Sequence, residues 1–266
     1  MFSVEMASRS EQGKRHANED QLASGKTASG WYAVLADGAG GHQRGGEAAQ
    51  RAVRRTEELL SSQQGTVTPA VLTQAVVAAH AELQRHQRAG DSTSQMHTTL
   101  VVLCIDADTR HALWAHVGDS RLYRIRGGVV DIVTRDDSVV QSMVSAGLIT
   151  DAQAREHPHK NQLVAALGIE GEIDAHTVAR PVELRSGDAF LLCSDGWWDS
   201  FDLADLCATL AQSFSPNDWL DRMQRRIEER ALPRQDNFSA IAVWLDNPRE
   251  STLVSIDDTV PRGLRL

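Results

Sequence analysis

The chain has 266 residues, 41% of them hydrophobic, enough for one sizeable domain with a buried core. The 36 acidic residues against 27 basic give a formal net charge of −9 with no long Lys/Arg run, which argues against nucleic acid or an anionic membrane surface as partner. Cys104, Cys193 and Cys207 are an odd, widely spaced set without C-x-x-C, fitting buried thiols rather than a disulfide framework or a zinc site.

Residues 1–9 lack a basic start and an apolar core, and no later stretch reaches the length of a bilayer, so a soluble protein is expected; the cysteine usage points to the cytoplasm, and a monomer is expected. Apolar runs flanked by Gly, Asp or Asn predict strands at 31–36, 99–105, 112–117, 122–125, 190–193 and 238–245. Between the first two, helices are expected at 46–61, after a Gly-rich turn, and at 69–88, where Thr68 takes the N-cap and Pro69 the first helical position. Later helices are expected at 138–146, at 161–167 and between 218 and 231. One continuous domain is expected over 1–246. The segment 247–266 has two prolines and few large apolar residues, and reads as a C-terminal tail outside the core. Strands interrupted by a helix pair, without β-α-β alternation, predict an α+β fold in which helices cover packed antiparallel sheets. No G-x-G-x-x-G or G-K-[ST] occurs to support a nucleotide-binding alternative.

The aspartates fall at telling places. The run at 31–36 leads into Asp37-Gly38, the run at 190–193 leads through Ser194 into Asp195-Gly196, and Asp236-Asn237 opens the run at 238–245. In antiparallel pairing, one strand's end lies beside its neighbour's start, so these carboxylates are expected to converge at one sheet edge. Clustered carboxylates repel unless a cation compensates them, and oxygen-only ligation suits Mg²⁺ or Mn²⁺ better than zinc. A single Asp-Gly pair is ordinarily a turn; carboxylates repeated at strand ends are harder to read that way.

The segments Gly13-Lys14-Arg15-His16-Ala17-Asn18-Glu19-Asp20, Asp37-Gly38-Ala39-Gly40-Gly41-His42, Thr98-Thr99, Gly118-Asp119-Ser120-Arg121, Ser194-Asp195-Gly196 and Asp236-Asn237 occur in this order. In order and spacing they resemble the PPM/PP2C family of metal-dependent protein phosphatases, in its short bacterial form, from about Ser3 to Leu245. The resemblance implies two packed antiparallel β-sheets flanked by helices, an α-β-β-α sandwich. It also implies two Mn²⁺ or Mg²⁺ ions per active site, with Asp37 bridging and the Gly38 carbonyl, Asp195 and Asp236 as further ligands. Glu19, largely through bound water, and Asp20 would stand in or near that sphere, and Asp119 would serve a weaker third ion. Arg15 would grip the phosphate, since a guanidinium offers a bidentate fork; Asn237 would support a bound water and the Asp236 geometry. His42 and a metal-bound water are competing proton donors to the leaving alkoxide. The implied activity is one-step hydrolysis of phosphoserine or phosphothreonine without a phospho-enzyme. The implied partners are phosphorylated proteins, among them a Ser/Thr kinase or its targets.

Plainer readings stand beside these. His42 could cap the following helix, Arg15 could be a surface arginine, and Asp119-Ser120 could be a hairpin connection. Trp197 and Trp198 read as core anchors, and His157, His159 and Lys160 as a solvated stretch. Ala39, His97 and Asp137 depart from residues usual in the family at those positions, which bears on substrate preference and the mobile flap. A non-catalytic binding member of the fold is disfavoured because every expected carboxylate is present. A metal-dependent nuclease or phosphodiesterase is disfavoured by the acidic balance.

Overall fold

A computed structural model describes residues 3–39, 44–88, 90–230 and 232–248. In chain order the strands are β1 (Val4–Glu11), β2 (Asp20–Lys26), β3 (Gly30–Asp37), β4 (Leu100–Asp106), β5 (His111–Val117), β6 (Arg121–Arg126), β7 (Val129–Val133), β8 (Val182–Glu183), β9 (Ala189–Cys193) and β10 (Phe238–Leu245). The α-helices are α1 (Gly45–Ser62), α2 (Pro69–Arg85), α3 (Val139–Ser145), α4 (Asp151–Arg155), α5 (Asp195–Trp198), α6 (Leu203–Ala211) and α7 (Pro216–Arg230).

The strands form two five-stranded sheets, ordered β1-β10-β9-β6-β7 and β2-β3-β4-β5-β8, antiparallel throughout. A middle layer containing Leu35, Val101, Leu103, Leu122, Phe190, Leu192, Ile241 and Val243 joins them. The second sheet's other face packs on α1 and α2 through residues such as Ala48, Ala52, Leu60, Leu72 and Val76. The first sheet's outer face packs on α6 and α7, with Trp197, Trp219 and Trp244 buried among them. Burying a side chain such as Phe190 contributes about 1.5–3 kcal/mol, so this double-sided core is where stability is concentrated. The α-β-β-α sandwich is therefore as expected.

Interior strands are sandwiched on both faces: β4 and β10 are buried at every residue. That explains their near-continuous apolar sequences, and all six expected strands are interior ones. The four strands not foreseen, β1, β2, β7 and β8, are the sheet edges. The pattern of β1, VEMASRSE, alternates partly covered with exposed residues along most of its length and carries charge, as exposed edges commonly do.

The helix expected at 161–167 is absent. Tertiary bonds hold that segment extended: Thr98 and Leu167 exchange backbone hydrogen bonds (3.3 and 2.8 Å), Gln162 O accepts Val139 N–H, and Val164 N–H donates to Asp137 O. Ser138 is the N-cap of α3 rather than its first residue, its hydroxyl accepting Gln141 N–H at 3.2 Å. Thr68 caps α2 as expected. Among the described residues no helix is long and apolar enough to cross a membrane. Residues 249–266 of the expected tail lie outside the described residues.

Candidate active site

The aspartates meet at one end of the sandwich, but from both sheets rather than along one sheet edge. Asp37 ends β3 directly opposite Asp20, which opens β2. Thr99 fixes the Asp37 backbone, accepting its N–H at Oγ1 (2.9 Å) and donating its own N–H to the Asp37 carbonyl (2.8 Å), while Thr98 Oγ1 donates to that carbonyl at 2.8 Å. Gly38 is pressed against other backbone: a Cβ there would lie 2.4 Å from the Gly45 carbonyl and 3.0 Å from Glu19 O. Only glycine fits, and its N–H donates to Glu19 O at 3.2 Å, bringing the Glu19 loop to the end of β3.

The other sheet supplies Asp195 and Asp236. Asp195 does not sit in a turn: Ser194 takes the N-cap place and Asp195 is the first residue of α5. A Cβ on Gly196 would lie 2.0 Å from the Asn237 carbonyl, so that glycine allows α5 to rest against the entry to β10. Asp236 Oδ1 accepts Asn237 N–H (2.8 Å), and Arg15 Nη2 donates to its Oδ2 (2.5 Å). Asn237 Oδ1 accepts Glu19 N–H, and its Nδ2 donates to Gln12 O and Ala17 O (2.8 and 2.9 Å). Both amide hydrogens are thus spent on the loop that carries Arg15 and Glu19. Asn237 acts as a bracket for that loop, and its Oδ1, which accepts one N–H, keeps a second lone pair to which a bound water could donate.

Asp119 lies where the chain crosses from β5 in one sheet to β6 in the other, which rules out the hairpin reading. Its carbonyl accepts Trp198 Nε1–H at 2.9 Å, and Arg121 stacks on the Trp198 ring at 3.5 Å while forking onto Asp136. Trp197 is a core anchor, and Lys160 pairs with Asp199 at 2.7 Å. His42 lies outside the described residues. Ser194 is a contributor whose role the sequence did not suggest: its hydroxyl donates to Asp20 Oδ2 (2.9 Å) and accepts Ser239 N–H (3.0 Å), tying the two sheets beneath the site. Its place between an apolar run and Asp195-Gly196 was the available signal.

Arg15, Glu19, Asp37, Gly38, Asp119, Asp195, Asp236 and Asn237 all line one cavity of about 450 Å³. Burial, then the charges of Asp236 and Asp20, raise the Asp195 carboxyl to about 7. Burial raises Asp20 to about 6 against the pull of its serine hydrogen bonds. Asp37 and Asp119 are pushed well above the usual carboxylate range, first by burial and then by carboxylate neighbours. Arg15 is shifted upward by its hydrogen bond to Asp236, so it stays a cation at the rim.

Among the described residues no three acidic, histidine or cysteine side chains already surround a single point, and Arg15 holds Asp236 while Ser194 holds Asp20. The chemistry of the donor set still fits hard divalent cations. Buried carboxylates that raise one another's pKa are short of positive charge, and Asp20 Oδ1 is a buried oxygen with no hydrogen-bond partner. The backbone that carries Asp37 and Gly38 is fixed by the threonine and glycine contacts.

Comparison with known proteins agrees with this geometry. The serine/threonine protein phosphatase PstP of Mycobacterium tuberculosis is 35% identical over 194 residues, 73% of this chain and 36% of PstP, so the match spans about a third of that relative. The serine/threonine phosphatase stp of Listeria monocytogenes is 32% identical over 187 residues, covering 68% of this chain and 73% of stp. The crystal structure of the PstP catalytic domain with two manganese ions superposes with a TM-score of 0.77 at 28% identity, covering 92% of this chain and all of that domain. The model of the family described as protein phosphatase 2C matches residues 8–245, from within β1 to the end of β10, and the chain belongs to that family.

Proposed function

We propose that the chain is a protein serine/threonine phosphatase, hydrolysing phosphoserine and phosphothreonine monoesters in one step at the carboxylate end of the sandwich. The observation that carries this reading is the convergence of Asp37, Asp119, Asp195 and Asp236 with Arg15 on one cavity, in a chain of this family. Asp37, the Gly38 carbonyl, Asp195 and Asp236 would hold two Mn²⁺ or Mg²⁺ ions, with Glu19 and Asp20 beside them. Such ions, when bound, supply a water made nucleophilic near neutral pH and positive charge for the transferring phosphoryl group.

The chain's own residues do the rest. Arg15, half-exposed at the rim, meets the phosphate oxygens and exchanges its bond to Asp236 for one to substrate. Asn237 keeps Arg15 and Glu19 in register with Asp236 through its three hydrogen bonds. Asp119, which reaches the cavity from the crossover, would take a weaker third ion that keeps most of its water. His42 or a bound water would deliver the proton to the leaving alkoxide. Phosphorylated proteins are the substrates, with a Ser/Thr kinase or its targets the natural class, in the cytoplasm.

Phosphate release from a phosphothreonine peptide and from p-nitrophenyl phosphate, each with Mn²⁺ and with excess EDTA, tests this. Metal-dependent release from both is expected. Release that persists in EDTA, or none from the peptide in Mn²⁺, overturns it.

A further inference from the structure

One side chain outside the carboxylate cluster joins several segments that shape the site. Asp137, between β7 and α3, accepts Gly118 N–H at Oδ2 (2.9 Å) and returns its own N–H to the Gly118 carbonyl (3.0 Å). Its carbonyl accepts Val164 N–H (2.8 Å), and its Oδ1 is bonded by His176 Nε2 (2.8 Å). His176 is itself anchored: its N–H donates to His116 O (3.1 Å), and its ring lies 5.0 Å from the His116 ring, whose Nε2 donates to Arg135 O at 2.8 Å.

Each segment held this way bears on the site. Gly118 immediately precedes Asp119 and stands at φ +94°, where a Cβ would meet Thr99 side-chain atoms at 2.7 Å, so its placement sets where the Asp119 carboxylate goes. Val164 belongs to the extended stretch 161–166 that forms one wall of the cavity. The two oxygens of Asp137 thus bridge the Asp119 crossover and His176, while its backbone carbonyl holds the wall. A carboxylate anchored at both oxygens has one orientation; anchored at one, it can rotate and loosen its grip on Gly118.

We infer that Asp137 and His176 are a positioning pair that fixes the Asp119 crossover and the 161–166 wall together, and so sets both the affinity of the Asp119 cation site and the fit of phosphopeptide. This rests on the proposed function for the Asp119 cation site and for the kinetic consequences, whereas the exchange of the Gly118 amide does not depend on it. His176 is the better handle for a test, because its side chain is 40% exposed and its bonds and ring contact are to Asp137 and His116.

The experiment compares wild type, His176→Ala, His176→Gln and Asp137→Ala by NMR exchange of the Gly118 amide, Mn²⁺ titration calorimetry, and kinetics on phosphothreonine peptide and p-nitrophenyl phosphate. His176→Ala is expected to speed Gly118 exchange and to weaken the weakest Mn²⁺ binding event about tenfold, the scale seen when a ligand's supporting partner is lost. KM for the peptide should rise while kcat on p-nitrophenyl phosphate at saturating Mn²⁺ stays within about twofold. Glutamine, which keeps a neutral N–H donor of similar reach, should restore exchange, Mn²⁺ affinity and KM; Asp137→Ala should exceed His176→Ala in all three if it folds. Identical Gly118 exchange and Mn²⁺ isotherms in wild type and His176→Ala overturn the inference, as does a glutamine variant no better than alanine. A wild type that releases no phosphate sinks the phosphatase reading, and Gly118 exchange then still decides this one.

Discussion

The two sides of the cavity are built differently. On one, Asp37, Asp195 and Asp236 project from strand ends and from the first turn of α5, and their backbones are fixed by strand pairing, threonine bonds and glycine contacts too close for any Cβ. On the other, the Asp119 crossover depends on side-chain links between irregular segments (Asp137 to Gly118, His176 to Asp137, Trp198 to the Asp119 carbonyl), and the 161–166 wall hangs on a few backbone bonds to Asp137 and Val139. In the proposed mechanism the chemistry that needs fixed donors falls on the sheet side, where moving a carboxylate would mean moving a core strand or α5. The loop side can be altered one hydrogen bond at a time, which suits it to tuning affinity and substrate fit.

The largest expected effect lies on the sheet side. Asp37→Asn or Asp195→Asn should lower kcat on either substrate by roughly three orders of magnitude or more, since the proposed mechanism generates the nucleophile there. Both variants should also melt no lower than wild type in EDTA, because each removes a buried, repelled carboxylate. A variant that is inactive because it has unfolded, seen by circular dichroism, would break the contrast between fixed scaffold and chemistry.

Arg15 stands between the two sides, and the expected effect is smaller. Arg15→Ala should raise KM for phosphopeptide about tenfold with a lesser loss of kcat, as for a clamp that grips the ground state and tightens in the transition state. Unchanged kinetics would remove Arg15 from the phosphate site and leave it a partner of Asp236 only.

The smallest effect is one of stability, and its sign follows from burial. Asp195 and Asp20 have folded pKa values raised to about 7 and about 6 from 3.8, so the folded chain binds protons that the unfolded chain has released. Their contribution is fully present below about pH 4 and is lost as pH rises through 6 to 7. In EDTA this contribution should pull Tm down between those limits, and Mn²⁺ should raise Tm most at the upper end. A Mn²⁺ effect that is flat over this window would mean that the cation binds away from these carboxylates.

How much of this was legible in sequence follows the same division. Interior strands such as LVVLCID and FSAIAVWL are covered on both faces and read as apolar runs, so the sheets and the three strand-end aspartates were visible. The edge strand DQLASGK was not, and with it went the pairing that sets Asp20 opposite Asp37; Asp20 entered only through family resemblance. The stretch NQLVAAL has helical composition, yet its amides and carbonyls are claimed by Thr98, Val139 and Asp137, partners far away in sequence. Asn237 sits where expected, but its hydrogen bonds to residues more than 200 positions away give it a bracket's role that no local pattern could reveal. Local pattern reports what is buried on both faces; it does not report which loop atoms meet across the chain.

The claim that two ions belong to the sheet side and a weaker one to the loop side is tested most directly by counting Mn²⁺ calorimetrically in wild type, Asp119→Ala and Asp37→Asn. Two tight sites and one weak site are predicted for wild type, with only the weak one lost in Asp119→Ala and the tight pair lost in Asp37→Asn. Isotherms for Asp119→Ala and Asp37→Asn that match wild type in number and affinity of ions would contradict it.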